Sequence, residues 1–556
     1  MLISFSEAAK IPDCDLCVVG AGPIGIALAL ACERYGMSVL LIESGREQPD
    51  PFAMALSAGH VVNVERHAPA EIAIHRGLGG TSRWWGGRCV PLDDVDFAGR
   101  PDLGCPGWPV SHDEIAAWYE AAAAFFGIGP ARFTAPAGCW AEFGDTRCDQ
   151  LERWTQENDV GRRHRLQLSN SHLIRVLLGA TVTELHVSED DQKVTALTVA
   201  DARSRVRIEP PRVALACGGL ETTRLLLQAQ QRRPRLFGGP DGPLGQGYMG
   251  HISGKIADIV LADPASANIH DFFLDQGVFA RRRLTLTTEA QTRERLLNIA
   301  FWADNPPFHL AGHGNGVLSM AWLALAIPWI GRRLVAEAVR ISHVGPRPYR
   351  WARHIRNLAR APLPTLRQIG AILHARLLAA PRKPGFLVRS RDGRYALHYL
   401  AEQAPHGQSR VTLSTRKDAV GLPFLDVDLR YSDIDAQSVL RAHELLDDSL
   451  RRAGLGRLDF HEAPEARIAA ILRQAKDGFH QIGTTRMALR PQDGVVDSDC
   501  RVHGIENLYV ASSSVFPRSS QANPTFPAVA LALRLATHLA DRVQRLSSQR
   551  DSGAMP

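Results

Sequence analysis

The sequence predicts an α/β fold built on a Rossmann-like βαβ unit, and two stretches of the chain predict it. Cys14 to Val19 reads as a short buried strand, GAGPIG as a glycine turn and Ile26 to Arg34 as a helix; Ser38 to Ile42 reads as a second strand that runs into Glu43. Farther along, RVALACGGLETTRLLLQ repeats the order of apolar strand, glycine pair and amphipathic helix. The composition agrees: 556 residues, 45% apolar and 22% charged, describe a folded chain and exclude a disordered, collagenous or coiled-coil one.

Gly20, Gly22 and Gly25 give the first turn GxGxxG spacing. The first glycine permits the tight turn, the second lets backbone approach a pyrophosphate, and the third lets the helix pack on the strand. Glu43 lies where a carboxylate accepts hydrogen bonds from the hydroxyls of an adenosine ribose, which favours NAD or FAD over NADP. A second glycine-rich segment, RGLGGTSRWWGGR from Arg76 to Arg88, is too rich in Gly, Trp and small polar residues to be a regular helix or strand. It is expected as a loop whose backbone N–H groups close on an anion or a flat ring. Val182 to Val199 reads as a hairpin, and Gly218 and Gly219 mark a second strand-to-helix switch able to face a dinucleotide.

The net charge of +6 comes almost wholly from arginine, since only six of the 64 basic residues are lysine. Such a bias follows base composition, and no nucleic-acid partner is expected from it. The nine cysteines are odd in number, and the one close pair, Cys14 and Cys17, has no second CxxC or His pair to complete a zinc site. A reduced, cytoplasmic chain with no metal site is therefore expected, and MLISFSEAAKIPDCD shows no secretory signal.

From about residue 256 to 475 the pattern changes to strand-like pieces around a helical insertion. Between Gly331 and Leu400 the chain carries 15 Arg or Lys against two acids. Just before it, GVLSMAWLALAIPWI is apolar but too short, and too interrupted by Pro328, to span a membrane. Segment 316–394 thus offers a core helix with a solvated basic face or, alternatively, a peripheral membrane contact. The last residues, 551–556, are expected as a disordered tail.

Near the C-terminus, HQIGTTRM and LYVASSSVFP…ANPT place His480 and Asn523 in separate loops before a final helix from about Thr525. With GAGPIG plus Glu43, GGTSRWWGG and ALACGGLETTRLL, in that order, the chain resembles the glucose-methanol-choline (GMC) flavoprotein oxidoreductases, in a bacterial branch related to pyranose oxidases and sugar dehydrogenases. The resemblance implies an FAD-binding domain assembled from 1–110, 165–255 and 475–550. It further implies an α+β substrate domain with an antiparallel sheet at 256–474, carrying the Arg-rich helical insertion at about 310–395.

It also implies a chemistry: oxidation of a hydroxyl of a sugar, glycoside or polyhydroxylated natural product to a carbonyl, with hydride transfer to FAD. His480 is then the base and Asn523 the hydrogen-bond donor to the same oxygen. Gly20, Gly22, Gly25 and Glu43 hold the adenosine diphosphate half, and Gly80, Thr81, Ser82 and Trp85 lie along the flavin. Val182 matches the family position whose backbone pairs with adenine, and Ala216 to Gly218 pass near the pyrophosphate. Ser512 stands where many relatives have an Asp, and Pro524 and Thr525 start the final helix at the flavin. Relatives that attach FAD covalently use a His in the loop where this chain has Arg83, Trp84 and Trp85, so non-covalent FAD is expected. The electron acceptor is expected to be intracellular: oxygen, a quinone or a soluble carrier. Trp84, Trp85 and Trp302 are packing residues or stacking platforms for a sugar ring. The alternatives are oxidation of a lipophilic alcohol at a membrane surface, a redox-silent flavoprotein lyase, and a non-enzymatic flavoprotein subunit.

Overall fold

Six short strands form one parallel sheet in the order Leu2–Ser4, Ile174–Leu178, Val39–Glu43, Leu16–Val19, Val213–Leu215, Leu508–Val510. They belong to a computed structural model of the chain that describes residues 1–5, 13–135, 140, 142–335 and 337–552. Leu16–Val19 and Val39–Glu43 are buried at every position, the continuous apolar pattern of strands covered on both faces. The first helix, Pro23–Arg34, starts on a proline whose missing N–H costs nothing there, buries Gly25 through Cys32, and packs on the final helix, Thr525–Ser552.

Two glycines make this junction possible. Gly20 adopts φ +105°, and a Cβ there would lie 2.6 Å from the carbonyl oxygen of Ala216. A Cβ on Gly25 would come 1.9 Å from the carbonyl oxygen of Gly20, so only glycine lets the helix meet the strand so closely. The expected hairpin is present as Thr181–Val187 and Val194–Ala200, extended by Arg205–Ile208 into a three-stranded sheet with Thr181–Val187 at its edge.

The second large sheet is antiparallel and has nine strands. Along its main path run Gly456–Phe460, His251–Leu261, Arg394–Glu402, Ile299–Asp304, Val278–Leu286, Thr146–Trp154 and Arg88–Cys89. Arg88–Cys89, within the segment 1–110 expected in the dinucleotide domain, pairs in this antiparallel sheet, and His251–Leu261 enters the sheet five residues before 256. One face of the sheet is covered by the helix Asp433–Arg452, which buries Ala436, Val439, Leu446 and Leu450 against it.

Ile299–Asp304 and Arg394–Glu402 are adjacent antiparallel strands, so the insertion is one long excursion between sheet neighbours. It consists of the helices Gly316–Ala326, Pro328–Leu334, Glu337–Val344, Trp351–Arg360 and Pro362–Leu373, around a core of their own. Trp322 centres that core: it stacks on His354 at 4.0 Å, and its Nε1 donates to the carbonyl of Val344. No single helix among the described residues is long and apolar enough to cross a membrane; Gly316–Ala326 and Pro328–Leu334 qualify only as a pair bent by 109°. At the other end, the final helix runs to Ser552, so Asp551 and Ser552 of the expected tail are helical; residues 553–556 lie outside the described residues.

Candidate active site

The carboxyl ends of Leu16–Val19, Val39–Glu43 and Val213–Leu215 open on one cavity of about 1790 Å³. That is where ligands bind in open parallel sheets, and the volume exceeds the roughly 300–1,000 Å³ of a pocket for a single small ligand. Most of the residues singled out from the sequence line it: Gly20, Gly22, Glu43, Gly80, Thr81, Ser82, Trp85, Val182, Ala216, Gly218, His480, Asn523, Pro524 and Thr525.

Two do not. Gly25 is buried at the helix–strand contact and serves the cavity only by letting the helix sit there. Ser512 turns inward, its hydroxyl accepting from the N–H of Ser514 to cap a short turn; Ser513 reaches the cavity instead and donates to the carbonyl of Gln481. Trp302 is also absent from the wall. It is packed between the guanidinium groups of Arg88 and Arg281 and stacks on His398, which makes it a packing residue. Trp84 and Trp85 both line the cavity; Trp85 is anchored by its Nε1 donating to the carbonyl of Asn158.

The cavity walls suit an anionic dinucleotide. Three helix N-termini converge on it, those of Pro23–Arg34, Gly219–Arg232 and Thr525–Ser552, and the first two have no side-chain cap from their own N-cap glycines. A Cβ on Gly22 would meet nothing within 4 Å, and one on Gly218 only the side chain of Gln481 at 3.7 Å, so the backbone is bare toward the cavity at both turns. His75, also on the wall, has a buried Nδ1 with no hydrogen-bond partner among the described residues.

Glu43 has a double role. Its carboxylate accepts from the backbone N–H groups of Ala21, Gly45 and Gly77, each at 2.9 Å, and so clasps three loops together. Burial nevertheless pushes this carboxyl above its usual range; Ser44 Oγ also reaches the Oε1 that takes Gly45 and Gly77, at 3.4 Å, while Oε2 accepts from Ala21 alone and keeps one position for a ribose hydroxyl. Thr81 and Ser82 are likewise spent on shaping their loop: Thr81 Oγ1 accepts from the N–H of His75, and Ser82 donates to the carbonyl of Gly79.

At the far side of the same cavity, His480 and Asn523 meet although 43 residues separate them. Nδ1 of His480 lies 2.9 Å from Oδ2 of Asp477. Burial alone pushes Asp477 up, yet His480 and His251 beside it hold this carboxyl well below the usual range. An ionised carboxylate only accepts, and the His251 Nδ1, 3.0 Å from the same nitrogen, is able to accept as well, so the Nδ1 of His480 carries the proton and its Nε2 is left with a lone pair. The other end of the ring agrees. Arg88 Nε donates to Asn523 Oδ1 at 2.6 Å, which points the amide nitrogen at His480 Nε2, 3.0 Å away, as a donor to that lone pair. Arg88 stays cationic despite burial, which brings it down to about 10, and Glu152 helps to hold the charge.

His251, fully buried, packs edge-on against His480, and burial and the neighbouring imidazole lower its proton affinity. The ligand atoms of His251, Asp477 and His480 lie within 4.8 Å of one another, close enough to hold a metal ion. The Asp477 oxygen is already taken, however, by the His480 ring and by the backbone N–H of His251 at 2.7 Å, an arrangement that orients a base. Asp477, Arg88 and His251 were not among the sequence-derived site residues. Asp477 was within reach through its i, i+3 spacing to His480; Arg88 closes the tryptophan loop but carries no mark of its role, and His251 has no local signal at all.

Residues 405–532, the segment that contains both His480 and Asn523, match the family model described as GMC oxidoreductase. This segment is therefore similar to the C-terminal part of the GMC oxidoreductases. GMC oxidoreductases are flavoproteins. Among curated relatives, an oxygen-dependent choline dehydrogenase of Brucella anthropi is 33% identical over 87 residues, 16% of each chain. A C-glycoside 3-oxidase of Microbacterium trichothecenolyticum is 31% identical over 127 residues, 23% of each chain. The matches thus span less than a quarter of the length of these relatives. Among solved structures, an FAD-dependent oxidoreductase from Chaetomium thermophilum superposes with a TM-score of 0.52 at 16% identity, covering 96% of this chain and all of the other. That likeness shows a shared fold across nearly the whole molecule.

Proposed function

We propose that this protein is a GMC oxidoreductase that oxidises a hydroxyl-bearing carbon to a carbonyl, with FAD as hydride acceptor and His480 as base. The observation that carries the reading is the state of the His480 ring: Nδ1–H spent on Asp477, Nε2 bare and facing an amide donor on the cavity wall. FAD, when bound by the glycine turns and helix N-termini, supplies the two-electron sink for the hydride. The residues of the chain do the rest. The substrate hydroxyl proton passes to Nε2 of His480 as the C–H bond breaks, and Asp477 stabilises the imidazolium that results. As the substrate hydroxyl takes the place of the Asn523 amide at Nε2, that amide donates to the substrate oxygen and so favours the developing alkoxide without competing for the proton.

A sugar, glycoside or polyhydroxylated compound is the substrate class we favour, supported by the relative named C-glycoside 3-oxidase. We further propose that FAD is held without a covalent bond: Arg83 is engaged by Asp159 at 2.9 Å, and Trp84 packs against His75. Acid precipitation should release the flavin into the supernatant. The decisive measurement is the anaerobic visible spectrum before and after adding alcohols and glycosides. Bleaching of the oxidised-flavin absorption is expected, and His480→Ala should bind FAD yet stay oxidised. Reduction at an unchanged rate in that variant would remove the base assignment, and a protein that cannot be loaded with FAD would overturn the cofactor.

A further inference from the structure

The cavity does not end at His480. It continues into the helical insertion, where its wall turns apolar with Val317, Met320, Ala324, Ile369 and Ile372. It reaches the surface at Leu334, Leu366, Leu373 and Leu377, which line it and are exposed at the same time. An apolar passage from the catalytic His to solvent is of no use to a small polyol. It suits a molecule with a polar, hydroxylated end and a hydrocarbon part.

The surface around this mouth is equally unusual. Eleven of the twenty-four exposed large apolar side chains among the described residues fall between residues 327 and 378. Trp329, Leu363 and Leu378 are 67%, 70% and 77% exposed. Basic side chains are interleaved with them: Arg333, Arg353, Arg356, Arg367, Arg376 and Arg382 form no ion pair with described residues. Elsewhere the arginines are mostly paired, as Arg76 is with Glu221, Arg224 with Asp418 and Arg518 with Glu402. A solvated surface explains unpaired arginines, and an ordinary core explains apolar helices. Neither explains exposed Trp and Leu mixed with unpaired Arg around the mouth of a cavity, which is the composition of a headgroup interface on an anionic bilayer.

We infer that the helical insertion, residues 316–378, docks the protein on an anionic membrane surface, and that the apolar arm of the cavity admits the hydrocarbon part of an amphiphilic alcohol whose hydroxyl reaches His480. The substrate half rests on the proposed alcohol oxidation; the docking half stands on the surface alone. The insertion is the right size for the task, because its own core around Trp322 lets it present one face outward without depending on the sheet below. Peripheral docking also needs no spanning helix, in keeping with the 109° bend between the two most apolar helices.

The test uses FAD-loaded full-length protein with two kinds of vesicle, phosphatidylcholine alone and phosphatidylcholine mixed with phosphatidylglycerol. Cosedimentation with the anionic vesicles, weakened by salt, is expected. The triple variant Arg353→Gln, Arg356→Gln, Arg367→Gln should weaken that binding about a hundredfold, and Leu363→Gln with Leu378→Gln should also release the protein. None of these five residues lines the cavity, so flavin reduction by a short water-soluble substrate should be unchanged in both variants. Equal binding to neutral and anionic vesicles, or none, overturns the docking. For the arm, kcat/KM should rise with chain length along a series of alkyl glycosides and alkanols, and Ile369→Trp should abolish the rise. A flat series overturns the amphiphilic substrate. If no alcohol of any length bleaches the flavin, the proposed alcohol oxidation fails, whereas vesicle binding is read independently of it.

Discussion

His480 Nε2 and Asn523 Nδ2 lie 3.0 Å apart, and the amide that Arg88 orients donates to a ring nitrogen that Asp477 keeps bare from the other side. Four residues therefore decide one protonation state. The same relationship predicts what happens when any member is changed.

Asn523→Asp replaces a donor at Nε2 by an anionic acceptor. The proton then prefers Nε2, and His480 becomes a cation that must be deprotonated before it can act. We expect kcat/KM to fall by about 10²–10³, with the acidic limb of the pH–rate profile moved to higher pH. A lower rate with an unmoved limb would show that the amide does not set the charge of the ring.

Asp477→Asn removes the acceptor that fixes the tautomer, and a loss of about 10²–10⁴ in the reductive half-reaction is expected, FAD remaining bound. The same residue carries a stability signature. Its carboxyl is held well below the usual range in the folded protein and titrates near about 3.9 when unfolded, so its contribution is full above about pH 4 and is lost as the pH falls. Thermal midpoints between neutral and acid pH should drop more steeply for the wild type than for the variant. Parallel curves would show that Asp477 contributes nothing to acid stability.

Arg88→Lys keeps the charge beside Glu152 but loses the Nε–H that holds the Asn523 amide. The amide is then free to turn its oxygen toward His480. A fall of about tenfold in kcat with little change in KM is expected, as for an interaction made in the transition state. An equal rise in KM would instead point to substrate binding.

Gly22→Ala and Gly25→Ala separate binding from folding. The Gly22 Cβ meets nothing within 4 Å and its φ of −75° is ordinary, so the variant should fold normally but bind FAD more weakly, because the methyl projects where backbone faces the cavity. The Gly25 Cβ meets the Gly20 carbonyl oxygen at 1.9 Å, and the helix must move, at a cost of at least about 1–3 kcal/mol. FAD titration and thermal melts of the two variants should show opposite patterns.

What could be read from the chain is uneven for physical reasons. The turn GAGPIG was legible because its glycines answer constraints set by neighbouring residues: a positive φ at Gly20 and a close contact at Gly25. His480 and Asn523 were legible as motifs within their own loops. The pairing of Arg88–Cys89 in the antiparallel sheet was not legible because a two-residue strand gives no pattern of its own and is defined only by its partners Trp154 and Arg153. Ser512 was named for its place in the family pattern, which does not tell which way an irregular turn points each residue; the turn directs Ser513 to the cavity. Glu43 was identified by position, but its clasp of Ala21, Gly45 and Gly77 depends on where the tryptophan loop returns.

The sequence by itself determined the βαβ unit, the glycine turns, the residue types of the proposed catalytic pair and the basic, apolar character of the insertion. Each of these is set by propensity, spacing or composition within a few residues. Only the tertiary structure decided that Asp477 and Arg88 hold His480 and Asn523 in one protonation state, that His251 stands behind them, and that the apolar arm joins the catalytic cavity to an exposed Arg-rich face. Those contacts join segments that lie far apart in the chain and are brought together by two sheets. Burial of apolar surface drives that assembly without specifying direction, so which distant side chains finally touch is written in the topology and not in any local stretch of sequence.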